Sequence, residues 1–208
     1  MIEQFAIMLA ATALPATTPQ TVVEADRALA KAVRTEGQWT AFRRFAAPRA
    51  IFFQRGAHDA ATILAGQPDP KQAFSWKVNE SIISCDGTTA VTIGPVRRPD
   101  GKVGMLLLVW RRQPDGRWKW AAWRGGAGPT PDPGPAPRVI TASCEGRPHL
   151  YVRPKPARPS GGLSSPDRTL IWHWEMDRSG AVTYSIQAWN GTAHAKVIGG
   201  DKVPVPRR

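Results

Sequence analysis

The stretch Met105–Trp123 constrains the fold most. It reads Met-Leu-Leu-Leu-Val-Trp-Arg-Arg, then a Gln113-Pro-Asp-Gly116 turn, then Arg-Trp-Lys-Trp-Ala-Ala-Trp. Two runs of β-branched, aromatic and apolar residues around a Pro-Asp-Gly turn predict an antiparallel hairpin. Both faces of Met105–Trp110 are apolar. That fits a sheet covered on both sides, by a second copy or by a tail that folds back. An earlier hairpin, Phe74–Ser84 with Thr88–Val96, turns at Cys85-Asp-Gly87.

Helical patterns precede these strands. Val22, Val23, Leu29, Ala30 and Val33 share one face of a helix that Thr21 caps, with Glu24 three residues on. Trp39, Phe42 and Phe45 mark a second helix that stops before Pro48. Ala50–Phe53 reads as a short strand and His58–Ala65 as a third short helix. Helices followed by a curved antiparallel meander give an α+β class, a cone with the helices packed in the sheet.

After the meander the composition changes. Half of the chain's 20 prolines lie between Gly125 and Asp167. This stretch reads as a Pro/Gly-rich linker with one short strand within Val139–Val152. The tail from Thr169 is again β. Trp172, Trp174 and Met176 share one strand face, and Val182, Tyr184, Ile186 and Ala188 another. A two-residue Asn190-Gly191 turn would set Ala188 against Ala193, Ile186 against Ala195 and Tyr184 against Val197. Such a meander, with one apolar face, needs a partner, either the cone or a second chain. The expected division is a leader at 1–19, a cone at 20–124, a linker at 125–167 and a small β-meander at 168–203.

Phe5–Leu14 is an apolar run of signal-peptide length, with small residues at Ala11/Ala13 or Ala16 as candidate cleavage positions, although Glu3 replaces the usual basic start. It is too short to span a bilayer. The expected location is therefore periplasmic or secreted, with the cytoplasm as the alternative. Cys85 and Cys144 are the only cysteines. In an oxidising compartment they would pair; otherwise they are free thiols. Pairing would staple the tail to the cone and stabilise the fold by about 4 kcal/mol. The net charge of +12 suits an anionic partner. The basic residues are scattered and no recognition motif accompanies them, which weighs against nucleic acid.

The region 20–124 resembles the nuclear transport factor 2-like superfamily, more narrowly its SnoaL-like and ketosteroid-isomerase-like bacterial members. The resemblance is carried by Glu24-Ala-Asp-Arg27, the Trp39 to Phe45 helix, Ala50-Ile-Phe-Phe53, Ser75-Trp76, Ser84-Cys-Asp-Gly87, Thr92-Ile-Gly-Pro95 and Val109 to Trp118. It implies a sheet curled around a helix-lined cavity. Enzymes of the group carry an Asp, Glu or His inside the cone; other members bind a ligand or dimerise through the sheet face. The carboxylate–tyrosine pair of the steroid isomerases has no match here, because no Tyr precedes Tyr151.

Candidate chemistry is sparse. Glu80 is the one carboxylate inside a predicted meander strand and shares its parity with Phe74, Trp76, Val78 and Ile82. If that face lines the cone, burial would raise its pKa and make it a base. The bland alternative is that it faces solvent or pairs with an Arg. His58 and Asp59 sit near the mouth, where His58 is a second candidate base; Asp59 reads equally well as a helix start. His173, Glu175 and His194 lie on the polar face of the tail, too far apart across strands for a zinc site, and no metal site is expected. Of the nine tryptophans, Trp76, Trp110 and Trp120 are candidate ligand contacts, with Arg97 and Arg111, or the neighbouring Arg98 and Arg112, as the charge near the strand ends. No phosphate loop, dinucleotide fingerprint or nucleophile elbow occurs, and no cofactor is expected. The sequence favours an exported, non-catalytic cone that binds a small apolar or anionic ligand. The alternatives are an acid–base enzyme using Glu80 or His58, and an assembly protein that forms a homodimer through the sheet face.

Overall fold

Thr21 begins the first helix as the sequence predicts. Its hydroxyl accepts from the Glu24 amide at 3.2 Å, and the Glu24 carboxylate accepts from the Thr21 amide at 2.8 Å, a complete capping box. The computed structural model describes residues 21–53, 56–126, 134–146, 148, 159–179 and 181–199. The expected leader and much of the Pro-rich linker lie outside the described residues. Helix α1 (Val22–Thr35) is followed by α2 (Gln38–Phe45) and, after two strands, α3 (Ala60–Leu64). Gly37, at φ 105°, makes the tight joint between α1 and α2.

The strands are β1 (Ala46–Phe53), β2 (Ala57–Asp59), β3 (Ser75–Trp76), β4 (Glu80–Ile83), β5 (Thr89–Arg97), β6 (Val103–Arg112), β7 (Trp118–Gly126) and β8 (Arg138–Thr141). They form one curved sheet in the order β2-β1-β7-β6-β5-β4-β8, with β3 beside β5. The remaining strands, β9 (Ser160–Ser164), β10 (Leu170–Met176), β11 (Val182–Trp189) and β12 (His194–Gly199), make a second, antiparallel sheet. Both β8 and β9 arise within the stretch read as linker.

The apolar run of β6 serves two cores at once. Leu106, Leu108 and Trp110 face the helices, with Leu29, Val33, Phe42 and Trp120. Met105, Leu107 and Val109 face the second sheet, with Trp172, Tyr184 and Ile186. The tail therefore folds back onto the outer face of the main sheet. Of the two covers expected for this face, a second copy or a tail that folds back, the chain's own tryptophans and aliphatics supply the second.

Two bulges override the simple strand parity. Trp76 pairs with Val96 but Glu80 with Ile93, so four steps on one edge match three on the other. Gly94 makes this possible, since a Cβ there would lie 1.7 Å from the Lys77 carbonyl oxygen. The second bulge lies between β6 and β7, where Val109 pairs with Ala122 and Trp110 with Trp120. It turns Trp120 and Trp123 to the same inner face and sends Arg124 outward.

The two sheets meet at a corner built from a repeated turn. Ser84-Cys-Asp-Gly-Thr-Thr89 and Ser165-Pro-Asp-Arg-Thr-Leu170 close with the same bonds: Ser N–H to the carbonyl five residues on (2.9 Å in each) and Ser hydroxyl to the Asp carboxylate (2.5 Å in each). Gly87 and Arg168 occupy the same left-handed position, at φ 66° and 62°. The turns cap each other: the Asp86 amide donates to Asp167 at 2.7 Å, and the Asp167 amide to Asp86 at 3.2 Å. Burial pushes the Asp86 carboxyl up, but bonds from Ser84, Thr88 and the Asp167 amide outweigh it and hold the group below its usual range. Beside this corner Cys85 and Cys144 are disulfide-bonded, their Cα atoms 5.2 Å apart.

In the tail, the Asn190 side chain accepts from the Thr192 and Ala193 amides and lengthens the turn to four residues. Ala188 consequently pairs with Ala195, two residues beyond the expected register, and past a bulge at Ile186/Gln187 Ile186 pairs with Ile198, three beyond it. Next to the turn a shift of two keeps each side chain on its face, so the apolar pattern there did not distinguish the two registers; the bulge that adds the third residue leaves no mark in that pattern.

Candidate functional site

The inner face of the main sheet holds a buried acid. Asp26 lies on the apolar stripe of α1, one turn from Val22 and Ala30, and is 2% exposed. Its Oδ1 accepts from Trp76 Nε1 at 2.7 Å, and its Oδ2 accepts from the Thr92 hydroxyl at 2.6 Å. The Thr92 oxygen in turn accepts from Trp110 Nε1 at 2.8 Å. Burial raises the Asp26 pKa to about 6, opposed by the bonds from Thr92 and Trp76 and by Arg27. The sequence reading missed this residue. The available signal was a carboxylate at the i, i+4 spacing of a helix's apolar face.

Aromatic rings connect this acid to a half-buried cluster at the edge of the inner core. Phe74 lies 5.6 Å from Trp76, and Trp39, Phe42 and Trp123 surround Phe74 at 6.3, 5.8 and 6.5 Å. Trp123 stacks on Phe52 at 4.2 Å. Trp39, Phe74 and Trp123 are half-buried, whereas Phe42 and Phe52 are buried. The Trp123 Nε1 is buried and has no hydrogen-bond partner among the described residues.

The predicted site residues divide. Trp76, Trp110 and Trp120 are buried on the inner face, and Trp120 donates to the Phe42 carbonyl at 2.9 Å. Trp76 touches the aromatic cluster through Phe74 and Phe42, and Trp120 touches it through Phe42. Glu80 is corrected: the β3–β4 bulge places it on the outer face, where it pairs with Arg138 of β8 at 2.5 Å. His58 is corrected as well. It is exposed on edge strand β2, opposite Phe52, and does not open a helix. Asp59 is the N-cap of α3, accepting from the Thr62 amide at 2.9 Å, and this holds its carboxyl below the usual range. Arg97 and Arg111 are both exposed but lie at opposite ends of the β5–β6 hairpin, since Arg97 pairs with Val103 and Arg111 with Thr89. They do not share one mouth. Arg98 faces Asp100 at 3.7 Å, and Arg112 lies over the Trp118 ring. His194 meets the Arg168 carbonyl, far along β10–β11 from His173. Among the described residues no group of three His, Cys, Asp or Glu side chains could hold a metal, and no helix is long and apolar enough to cross a membrane.

No known family profile matches the chain, and no curated protein matches it. Two solved structures are similar over part of it. One is a nuclear transport factor 2 (NTF2-like) superfamily protein from Salmonella enterica subsp. enterica serovar Typhimurium str. LT2, 17% identical, covering 55% of this chain and 94% of that chain, with a TM-score of 0.39. The other is a candidate ketosteroid isomerase from Shewanella frigidimarina NCIMB 400, 16% identical, covering 49% and 94%, with a TM-score of 0.34. Both are likenesses of architecture and bring no ligand or reaction to this chain.

Proposed function

We propose that this is an exported, non-catalytic cone that binds a small, flat, partly apolar ligand at the mouth formed by Trp39, Phe74 and Trp123. The observation that carries the reading is the contrast between Trp123 and Asp26. Among the described residues the buried Trp123 N–H has no acceptor, beside half-buried rings, while both Asp26 oxygens are already engaged. A ligand with an aromatic body and one acceptor would complete the first without disturbing the second. The Cys85–Cys144 bond supports export, since disulfides persist in oxidising compartments. Titrating 2-naphthol against intrinsic tryptophan fluorescence tests the site. Saturable quenching that weakens several-fold in Trp123→Phe supports it. A linear response, or an identical curve for the variant, removes it.

A second reading, acid–base chemistry, has one observation in its favour: the interior acid titrates near neutrality. It moves the base from Glu80 or His58 to Asp26. Deuterium exchange into cyclohexanone, catalysed by the protein and lost in Asp26→Asn, would establish it. No exchange above buffer would retire it.

A further inference from the structure

The loop between α3 and β3 is tied to one helix. Among the described residues, 66–74 join no strand ladder, and 66–72 are exposed. Among the described residues the loop's long-range polar ties run to α2. The Asp69 carboxylate accepts from the Trp39 amide at 2.5 Å, the Thr40 amide at 3.1 Å and the Thr40 hydroxyl at 2.6 Å. Arg43 donates to the Gln67 carbonyl at 3.1 Å, and the Gln38 side chain accepts from the Phe74 amide at 3.1 Å.

The sequence around Asp69 suits a latch. Gly37, the N-cap of α2, has no side chain with which to cap the helix, so Asp69 supplies the acceptor from 30 residues away. A Cβ at Gly37 would collide with the Asp69 carboxylate, so the joint must be glycine for the bond to form. Pro68 and Pro70 flank Asp69, stiffening the backbone on both sides and offering no N–H of their own to anchor it. At the far end the loop packs only Ala73 and Phe74 against the inner core. The half-buried Phe74 ring lies against buried Trp76, whose indole donates to Asp26.

We propose that residues 66–74 form a lid on the inner face, latched to α2 by Asp69, that lifts as one unit and withdraws Phe74 from Trp39, Trp76 and Trp123. Exposed hydrogen bonds and one ring hold it. Strands β5 and β6, by contrast, pair over nine residues between two cores. Opening the lid therefore costs far less than unfolding the sheet. That the bared rings take a flat ligand rests on the reading above; the lid's opening does not.

The test is hydrogen exchange of the full chain followed by NMR, without ligand, in the wild type, Asp69→Ala and the milder Thr40→Val. In the wild type the Trp39, Thr40 and Phe74 amides should share one opening, depend weakly on denaturant and exchange faster than the central amides of β6. Asp69→Ala should speed exchange at the Phe74 amide and the Trp76 indole N–H roughly tenfold relative to β6, and Thr40→Val roughly threefold, although neither probe is bonded to Asp69 or Thr40. The proposal fails if the wild-type Phe74 amide exchanges only together with β6, through global unfolding. It also fails if Asp69→Ala speeds exchange at Trp39 and Thr40 alone, which would make Asp69 a helix cap and no more. An unchanged Trp76 indole would overturn it too, because the opening would then not reach the inner face. With no ligand present, these results stand or fall separately from the 2-naphthol titration.

Discussion

On the helix-covered face of the main sheet, the buried indoles of Trp76, Trp110 and Trp120 donate to Asp26, Thr92 and the Phe42 carbonyl. On the opposite face, the buried indoles of Trp172 and Trp174 have no hydrogen-bond partner among the described residues. Trp123, at the mouth, is the inner exception. Both faces bury tryptophan, but for different ends. Directional bonds fix how α1 sits on the sheet, because Asp26 satisfies Trp76 and Thr92 together in one placement. The outer sheet is held by apolar burial and fastened at its corner by the reciprocal Asp86–Asp167 turns and the disulfide.

The largest expected effect falls on the outer attachment. Cys85 and Cys144 are 59 residues apart in sequence. Opening a loop of that size by the double change to Ser should cost about 4 kcal/mol in chemical denaturation. A loss below about 1 kcal/mol would mean that burial and the turns alone hold the outer sheet.

The inner network should respond nearly as strongly, and with a pH signature. The folded Asp26 pKa, about 6, lies above its ordinary value of 3.8, so the folded state binds more protons between those values. Stability therefore falls as pH rises from 4 to 6, by about 3 kcal/mol over the whole window. Asp26→Asn should flatten that slope. The carboxyls of Asp59, Asp69 and Asp115 are held below their ordinary value mainly by hydrogen bonds from Thr62, Thr40 and Arg117. Their contributions are present above pH 4 and lost below it, which leaves the pH 4–6 window to Asp26. Asp26→Ala at pH 7 should cost roughly 2–3 kcal/mol, because Trp76 and Thr92 lose their acceptor. Superimposable pH profiles for wild type and Asp26→Asn would show that the acid does not titrate there.

The sequence made the main architecture legible where local chemistry was strong. The Thr21–Glu24 box, the Gln113-Pro-Asp-Gly116 hairpin and the doubly apolar β6 all appear in the structure, the last because the tail covers the outer face. Face assignments failed where a bulge intervened. Glu80 and Arg124 both lie on faces that period-two counting does not give, and a bulge shows in sequence only as a glycine such as Gly94 or not at all. Strand β8 falls at the start of the short strand expected within Val139–Val152, whereas β9 was hidden by the prolines and glycines around it. Asp26 was hidden by its setting: a polar residue was left out of the buried face of the first helix, although its spacing placed it among Val22, Leu29 and Ala30.

The comparison between the two faces is tested most directly by changing tryptophan to phenylalanine one position at a time and measuring unfolding free energy against pH. Trp76→Phe should lose roughly 1–2 kcal/mol more than Trp172→Phe, which gives up ring volume but no hydrogen bond. It should also move the Asp26 transition to higher pH, since a bond that favours the charged carboxylate is gone. Trp172→Phe should leave that transition in place. Equal losses at the two positions, with no change in either pH profile, would contradict the account.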